Sequence, residues 1–427
     1  MMMKKTLLIL VAILLSFSAC HKTSQSSAGD GKTFSISQLG FDFSIERVGE
    51  TKGVRTGWLN GDKVFIFFEG INSAYLTVTF DGASWSPDPE VPSGMSEPSL
   101  AANGHLTAVY LPYGNDLTPS WDGTNQVWSF TGTNDYYYLK SENVDYFITD
   151  IDNVLPTLGA FIYMDTAEDF VQLFLPDESA SGTIQLACNV IAPAGIAGVA
   201  LDGTVTETSS ELGEWITARA ETIDSEKGYY ASGKLSSRPG LQYYLAINAA
   251  GTYKHYYKQR LATMEGRGAY QLPPAEDWLT VSPTIFVEVA GNSWCSVNAG
   301  AANPWGLGTQ YPSSSMGDAL ATDTIIPSDV EWNLLLDRTK TAWIHLSLLG
   351  TDGFLVMDRE EQNNYFFLPC YNYWSTSSPA GIQHYLKTDA DGTHEIAVTD
   401  APANAYVRLL SSLYQGGFNP PEDGGTI

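Results

Sequence analysis

Histidines, carboxylates, thiols and aromatics are the side chains of this chain that could do chemistry, and their spacing decides what chemistry that would be. The six histidines, at 21, 105, 255, 345, 384 and 394, show no pair at metal-ligand spacing, so no zinc motif is written here. No His-Glu-x-x-His, Gly-x-Ser-x-Gly or phosphate-binding loop occurs either. Asp389-Ala390-Asp391-Gly392 begins like a calcium loop but lacks its later ligands, and a solvated hairpin turn explains it better. With 48 acidic residues, some pair always resembles a glycosidase dyad, which only a distance would define. No cofactor, no metal and no catalysis are expected.

The thiols and aromatics offer binding or packing instead. Ile184, Leu186, Cys188 and Val190 alternate onto one face, which predicts a buried Cys188. Cys295 and Cys370 could form a disulfide in an exported protein. The aromatic run FLPCYNYWSTSSP, Phe367 to Pro379, places Tyr371, Tyr373 and Trp374 together. They could stack on a sugar, but large aromatics mostly report burial, so a packed seam is the preferred reading.

The net charge of −26 repels nucleic acid and anionic lipid, and neither is an expected partner. At the start, Lys4 and Lys5 precede a run of nine apolar residues, Leu7 to Leu15. That run is too short to span a bilayer and reads as a signal peptide over 1–19. Ser18-Ala19-Cys20 resembles a bacterial lipobox, with Phe17 where a Leu-like residue is usual. The resemblance implies a diacylated Cys20, stable anchoring through its acyl chains, and an outer-membrane lipoprotein at the cell surface. Residues 20–32 are polar and Ser-rich and read as a tether.

These residues must be positioned by strands. Asp-Gly pairs at 81-82, 122-123, 202-203, 352-353 and 391-392 predict tight hairpins. Tyr75–Phe80 and Lys63–Glu69 read as strands, and so do AFIYMD, FVQLFL, GTIQLACNVIA and LQYYLAIN further on. The expected fold is mainly β, with β-sandwiches over 33–154 and 155–272. QLPPAEDW suggests a linker, 273–280, because paired prolines cannot join a sheet interior. Five of the eleven tryptophans follow it: Trp294, Trp305, Trp332, Trp343 and Trp374. PSDVEWNLLLDR there predicts a helix with Ser328 and Glu331 as its capping box. The last domain, 281–414, is therefore α+β, and 415–427 is a flexible tail.

Two resemblances extend this reading. Arg55, Trp58-Leu59-Asn60-Gly61-Asp62 and Tyr110-Leu111-Pro112 look like the FimA-like and Mfa-like fimbrillin lipoproteins. That resemblance covers about 33–272 and implies two tandem transthyretin-like β-sandwiches. The last domain resembles the FISUMP-type paralogous domain of exported bacterial proteins. Its matching blocks are Asn303 to Gly308, Glu331-Trp332, Asp337-Arg338-Thr339, Gly353 to Met357, Phe367-Leu368-Pro369, Tyr373 to Ser377 and Tyr406 to Leu409. This second resemblance implies a C-type-lectin-like fold.

The fimbrillin resemblance also implies a mechanism that the residues can carry. Phe41, Phe43 and Ile45 share one face of a strand upstream of Arg55. An arginine-specific cut at Arg55, or at Arg47, would remove that strand and leave an apolar groove with an unpaired edge. Such an edge recruits a strand from another pilin subunit. The Gly- and Pro-rich YQGGFNPPEDGGTI opposes strand formation, so the chain is expected to accept a strand without donating one. That places it at a fimbrial tip, with the last domain as an adhesin for a host glycan or protein. A monomeric surface lipoprotein that binds glycans is the alternative, and an enzyme built on a lectin-like fold is a third reading.

Overall fold

Alternating apolar side chains make this chain a succession of short strands. The computed structural model describes residues 32–47, 57–111, 118–130, 138–150, 155–166, 169–223, 225–236, 241–248, 250–258, 264–376, 384–389, 391–398 and 404–415. It is mainly β, as expected, with β-sandwich layering.

The first eleven strands are β1 (Thr33–Ser35), β2 (Gly40–Arg47), β3 (Lys63–Phe68), β4 (Tyr75–Phe80), β5 (Trp85–Glu90) and β6 (Ser99–Ala101), then β7 (Asn103–Tyr110), β8 (Pro119–Asp122), β9 (Val127–Phe130), β10 (Leu139–Thr149) and β11 (Thr157–Met164). Seven of these form one sheet in the order β2-β11-β10-β7-β3-β4-β5. Its middle is covered on both faces, which is why Val64 to Phe68 are all buried. Val64, Ile66 and Phe68 enter one core with Leu76, Leu106 and Leu158. Phe65 and Phe67 enter another with Trp128 and Phe130.

The next strands are β12 (Phe170–Pro176), β13 (Thr183–Cys188), β14 (Ile191–Ala192), β15 (Ala194–Ala200), β16 (Val205–Ser209) and β17 (Ile216–Ile223), then β18 (Glu226–Leu235), β19 (Tyr243–Ile247), β20 (Tyr253–Tyr257), β21 (Ala269–Gln271) and β22 (Leu279–Val281). The expected boundary at 154/155 is corrected here. β11 pairs with β10 and β2 in the first sheet. β15 and β16 join β9 and β8 in a four-stranded sheet, the covering layer of that same sandwich. Turn residues mark where a strand ends, but strand pairing is decided by cross-strand packing that a linear sequence does not display.

The remaining strands of this group form a nine-stranded sheet running from β21 to β22. Leu173, at one end of it, and Trp278, at the other, meet in a single core, so the sheet curls over itself. Cys188 is fully buried in that core, as its alternation requires. The expected linker, 273–280, is also corrected. Its Trp278 is buried against Tyr244 and Tyr256 with its indole N–H donated to the Pro273 carbonyl at 3.1 Å. β22 then continues the sheet on β20. The prolines do stay out of the ladder, but the tryptophan between them and β22 docks the segment.

The last region holds β23 (Phe286–Val289), β24 (Asn292–Asn298), β25 (Thr324–Ile325), α1 (Asp329–Leu336), β26 (Thr341–Leu348) and β27 (Thr351–Asp358), then β28 (Tyr365–Pro369), β29 (Asn372–Trp374), β30 (His384–Thr388), β31 (His394–Val398) and β32 (Arg408–Gln415). α1 carries the capping box: the Ser328 amide donates to Glu331 at 2.7 Å, and the Val330 amide donates to the Ser328 hydroxyl at 3.2 Å. Trp332 and Leu335 are fully buried beneath it. The Asp352-Gly353 pair is not a turn but lies within β27, where the Phe367 ring occupies the space a Cβ would need. The 391-392 pair does close the β30–β31 hairpin, with Gly392 at φ 91°.

A further core joins the curled sheet to this last region. It holds Tyr243, Leu245 and Tyr257 from one side and Leu346, Leu355, Tyr365 and Phe367 from the other. The Tyr257 hydroxyl donates to the Gln362 carbonyl at 2.6 Å, and that of Tyr365 to the His255 carbonyl at 3.2 Å. His255 itself is fully buried, 2.8 Å from the Tyr243 hydroxyl through Nδ1, and burial pushes its pKa down to about 3.

Candidate functional site

The leading segment, 32–47, lies against the first sandwich. β1 pairs with β6, a short 3-10 turn follows over Ile36–Gln38, and β2 runs parallel to β11 from Gly40 opposite Thr157 to Arg47 opposite Met164. Among the described residues β2 has its second edge unpaired, because it ends the seven-stranded order. Ile45 is 6% exposed and sits in the first core, with Phe41 and Phe43 partly buried against it. The two phenyl rings stack on each other at 5.8 Å.

The deeper anchors were not among the expected residues. Ile36 is fully buried and Leu39 is 5% exposed in the same core. Their three-residue spacing follows the 3-10 turn and not the strand period, so a search for period-two alternation passes over them. Burying Ile36, Leu39 and Ile45 is worth about 1.5–3 kcal/mol for each side chain. The polar attachments are fewer. The Ser37 amide donates to Glu97 at 2.7 Å, the Ser35 hydroxyl bonds the same carboxylate, and Lys32 pairs with Asp150 at 3.2 Å. The Ser35 and Ser37 hydrogen bonds hold Glu97 below the usual carboxylate range. Segment 32–47 is therefore held by apolar plugs, a short antiparallel pairing of β1 with β6, and one parallel ladder of β2 at the margin of the seven-stranded sheet.

The covering layer stops short of this margin. Phe147, Phe161 and Tyr163 remain 46%, 65% and 53% exposed on the outward face of β10 and β11. Asp42 and Glu46 flank them from β2 on the same face.

Of the expected processing sites, Arg47 closes β2 within the ladder; Arg55 and the lipidation residue Cys20 lie outside the described residues. The two cysteines that could have formed a disulfide do not pair. Cys295 and Cys370 are both free thiols because they face different cores. Cys295 packs with Val281, Val297 and Trp374 and donates its thiol to the Pro283 carbonyl at 3.4 Å. Cys370 packs beside Trp294 and Trp332. Burial raises both thiol pKa values, that of Cys370 to about 12.

Two of the three candidate sugar-stacking aromatics are structural. Tyr373 is fully buried, with its hydroxyl donated to the Pro369 carbonyl at 2.8 Å. Trp374 is 1% exposed and donates its indole N–H to the Tyr311 carbonyl at 2.6 Å. Only Tyr371 reaches solvent, edge-on to Tyr406 at 5.2 Å. Beneath this seam lies Arg408, fully buried and with no carboxylate partner among the described residues. It donates to the carbonyls of Cys295 at 2.9 Å and Phe367 at 2.7 Å, and its guanidinium lies 5.1 Å from the Phe366 ring. Burial lowers its pKa.

The histidines are scattered. His105 faces Asp145 at 3.1 Å, His384 bonds Asp329, and His394 stacks on Trp343 at 4.5 Å. Among the described residues no three His, Cys, Asp or Glu side chains are grouped as metal ligands, and no helix is long and apolar enough to cross a membrane.

No family model and no curated protein matches the chain. Three solved structures from Bacteroides ovatus ATCC 8483 share parts of its course. One is a fimbrial protein, 11% identical, with 87% of this chain and 99% of that one covered at a TM-score of 0.26. Another, provisionally described as a cell adhesion protein, is 13% identical over 59% of this chain and 96% of its own, at 0.28. A third, provisionally described as an adhesin, is 10% identical over 55% and 89%, at 0.25. Likenesses of this size establish neither a family nor an activity.

Proposed function

We propose that the protein is a fimbrial subunit that accepts a strand from a neighbour after its own segment 32–47 is removed, and that its last domain is an adhesin. The observation that carries this reading is the seating of that segment. Ile36, Leu39 and Ile45 plug the first core, yet β2 lies at the outermost position of its sheet. Taking it away leaves β11 with unpaired backbone groups beside an apolar slot, a template for another extended chain. The resemblance of Arg55, Trp58 to Asp62 and Tyr110 to Pro112 to fimbrillins points the same way. Arg47 is the poorer cleavage point of the two arginines, since a protease would have to peel it from the ladder opposite Met164.

The reading includes acceptance without donation. β32 lies inside its own sheet, between β24 and β25, with Arg408 anchored in the core; it is not free to leave. The Gly- and Pro-rich residues 416–427 are poor strand formers. A subunit of this kind terminates a chain of donors, which is the position of a tip. Lipid attachment at Cys20 would hold the unprocessed form at the outer membrane.

N-terminal sequencing of the protein extracted from cell surfaces tests this. Fimbriae should yield a chain that starts after Arg55, and Arg55→Ala should leave an unassembled monomer. Assembled fimbriae that still carry residues 33–47 would refute it. The monomeric glycan-binding alternative predicts no cut and no strand partner.

A further inference from the structure

The last domain contains a group of cations that form no ion pair among the described residues, in a chain whose acidic residues outnumber its basic ones 48 to 22. Two Asp-Arg dipeptides lie side by side where the β26–β27 hairpin begins and ends: Asp337-Arg338 before β26, and Asp358-Arg359 at the close of β27. The Arg359 amide donates to the Lys340 carbonyl at 2.8 Å, which ties the two corners together. In both dipeptides the aspartate is turned to main chain. Asp337 accepts from the amide and hydroxyl of Thr339 at 2.9 and 2.8 Å. Asp358 accepts from the amides of Ala290, Glu360 and Glu361 at 2.8, 2.8 and 3.0 Å.

The neighbouring cations are not drawn into close ion pairs with these aspartates, although, after the Thr339 hydrogen bonds, the charge of Lys340 helps to lower the Asp337 pKa. Ion pairs among the described residues engage Lys32, Lys140, Lys234, Arg267 and Lys387. None engages Arg338, Lys340 or Arg359, all of which are exposed. Two of them are nonetheless positioned. Arg338 contacts the His394 ring and lies 5.8 Å from the Trp343 ring, on which His394 stacks. Arg359 uses its Nε to grip the Thr341 carbonyl at 3.0 Å, and the residue as a whole is exposed. Burial, followed by the charge of Arg338, lowers the His394 pKa, so His394 stands neutral beside the guanidinium.

Arg338 and Arg359 are close enough to repel each other, and like charges held together without close ion pairs cost energy that an external anion repays. Two planar guanidiniums suit a carboxylate or sulfate, which accepts paired N–H bonds. We infer that Arg338, Lys340 and Arg359 form a binding site for a carboxylate- or sulfate-bearing sugar, at the edge of the β26–β27 hairpin. The inference rests on the reading of this domain as an adhesin. The sequence blocks behind the FISUMP resemblance include Arg338, but not Lys340 or Arg359.

The test uses the full exported chain on immobilised sialylated and sulfated oligosaccharides, each beside its neutral, desialylated or desulfated counterpart. The wild-type protein should hold one charged series and not its neutral counterpart, and which series is held separates carboxylate from sulfate. Retention should fall about tenfold or more in Arg338→Ala/Arg359→Ala and disappear in high salt, with near-ultraviolet dichroism unchanged. Lys387→Ala, which removes a cation already paired with Asp389, should bind as wild type. Equal retention of neutral sugars, an unaffected double variant, stronger binding to polyglutamate than to any charged sugar, or no retention at all would each overturn the site. Processing after Arg55 is read separately, so a protein that binds charged sugars yet stays uncut would remove the fimbrial reading and leave this site standing.

Discussion

Two junctions of this molecule solve the same problem in opposite ways. Segment 32–47 meets the first sandwich at the sheet margin, where β2 has one ladder and, among the described residues, one open edge. The curled sheet meets the last domain through a closed core of Tyr243, Leu245, Tyr257, Leu355, Tyr365 and Phe367, with hydrogen bonds from two tyrosine hydroxyls across it. Both bury large apolar groups, so buried area alone does not distinguish them. The difference is connectivity: β2 has β11 as its single sheet neighbour among the described strands, and the other junction cannot open without exposing aromatic side chains from both partners. A detachable element needs an edge, and a permanent joint needs shared interior.

The largest effect should fall on the joint. Phe367→Ala removes a fully buried ring stacked on Tyr243 and should cost about 3–5 kcal/mol in denaturant unfolding, lowering the curled sheet and the last domain together. A loss confined to the last domain would show that the seam is not a shared core. Ile45→Ala should cost about 2–4 kcal/mol, and the cost should appear locally. Hydrogen exchange should quicken over 33–47 and 157–164 while 294–298 and 408–412 keep their protection. Uniform acceleration would mean that the leading segment is no more detachable than the seam.

Acid should separate the two junctions again. The His255 pKa is depressed from an ordinary value of 6.5 to about 3 by burial. Its neutral form is therefore fully compatible with the fold above about 6.5, and stability is lost as the pH falls below that value, when the unfolded chain takes up the proton first. The seam should weaken by about 1.4 kcal/mol per pH unit from there down towards 3, a slope that His255→Gln should flatten. An unchanged slope in that variant would assign the acid sensitivity to carboxylates elsewhere. The smallest effect is expected at Tyr371, 43% exposed at the rim of the last domain. Tyr371→Ala should change stability by no more than about 0.5 kcal/mol, and a larger loss would place that ring in the packed seam with Tyr373 and Trp374.

How far the sequence reached varies by residue. The strands at Lys63–Phe68 and Tyr75–Phe80, the capped helix at Asp329–Leu336 and the buried Cys188 could all be read from it. Each follows from a period of two, a period near 3.6 or a cap, which are properties of contiguous residues. The placement of Phe41, Phe43 and Ile45 towards the first sandwich was legible for the same reason. Ile36 and Leu39 were not, because the turn that aims them inward has no strand period. Whether Cys295 and Cys370 pair stayed open in the sequence, because spacing says nothing of which core a thiol faces.

Local pattern, charge and composition settled by themselves that this is an acidic chain of short strands with one capped helix, since those signals need only neighbours along the backbone. Folding in three dimensions decided the rest. It placed β11 in the sheet of β2, drew β15 and β16 over that sheet, and docked Trp278 where a linker was expected. Those outcomes depend on which distant side chains fill a common volume, and that volume exists only once the chain has closed around it.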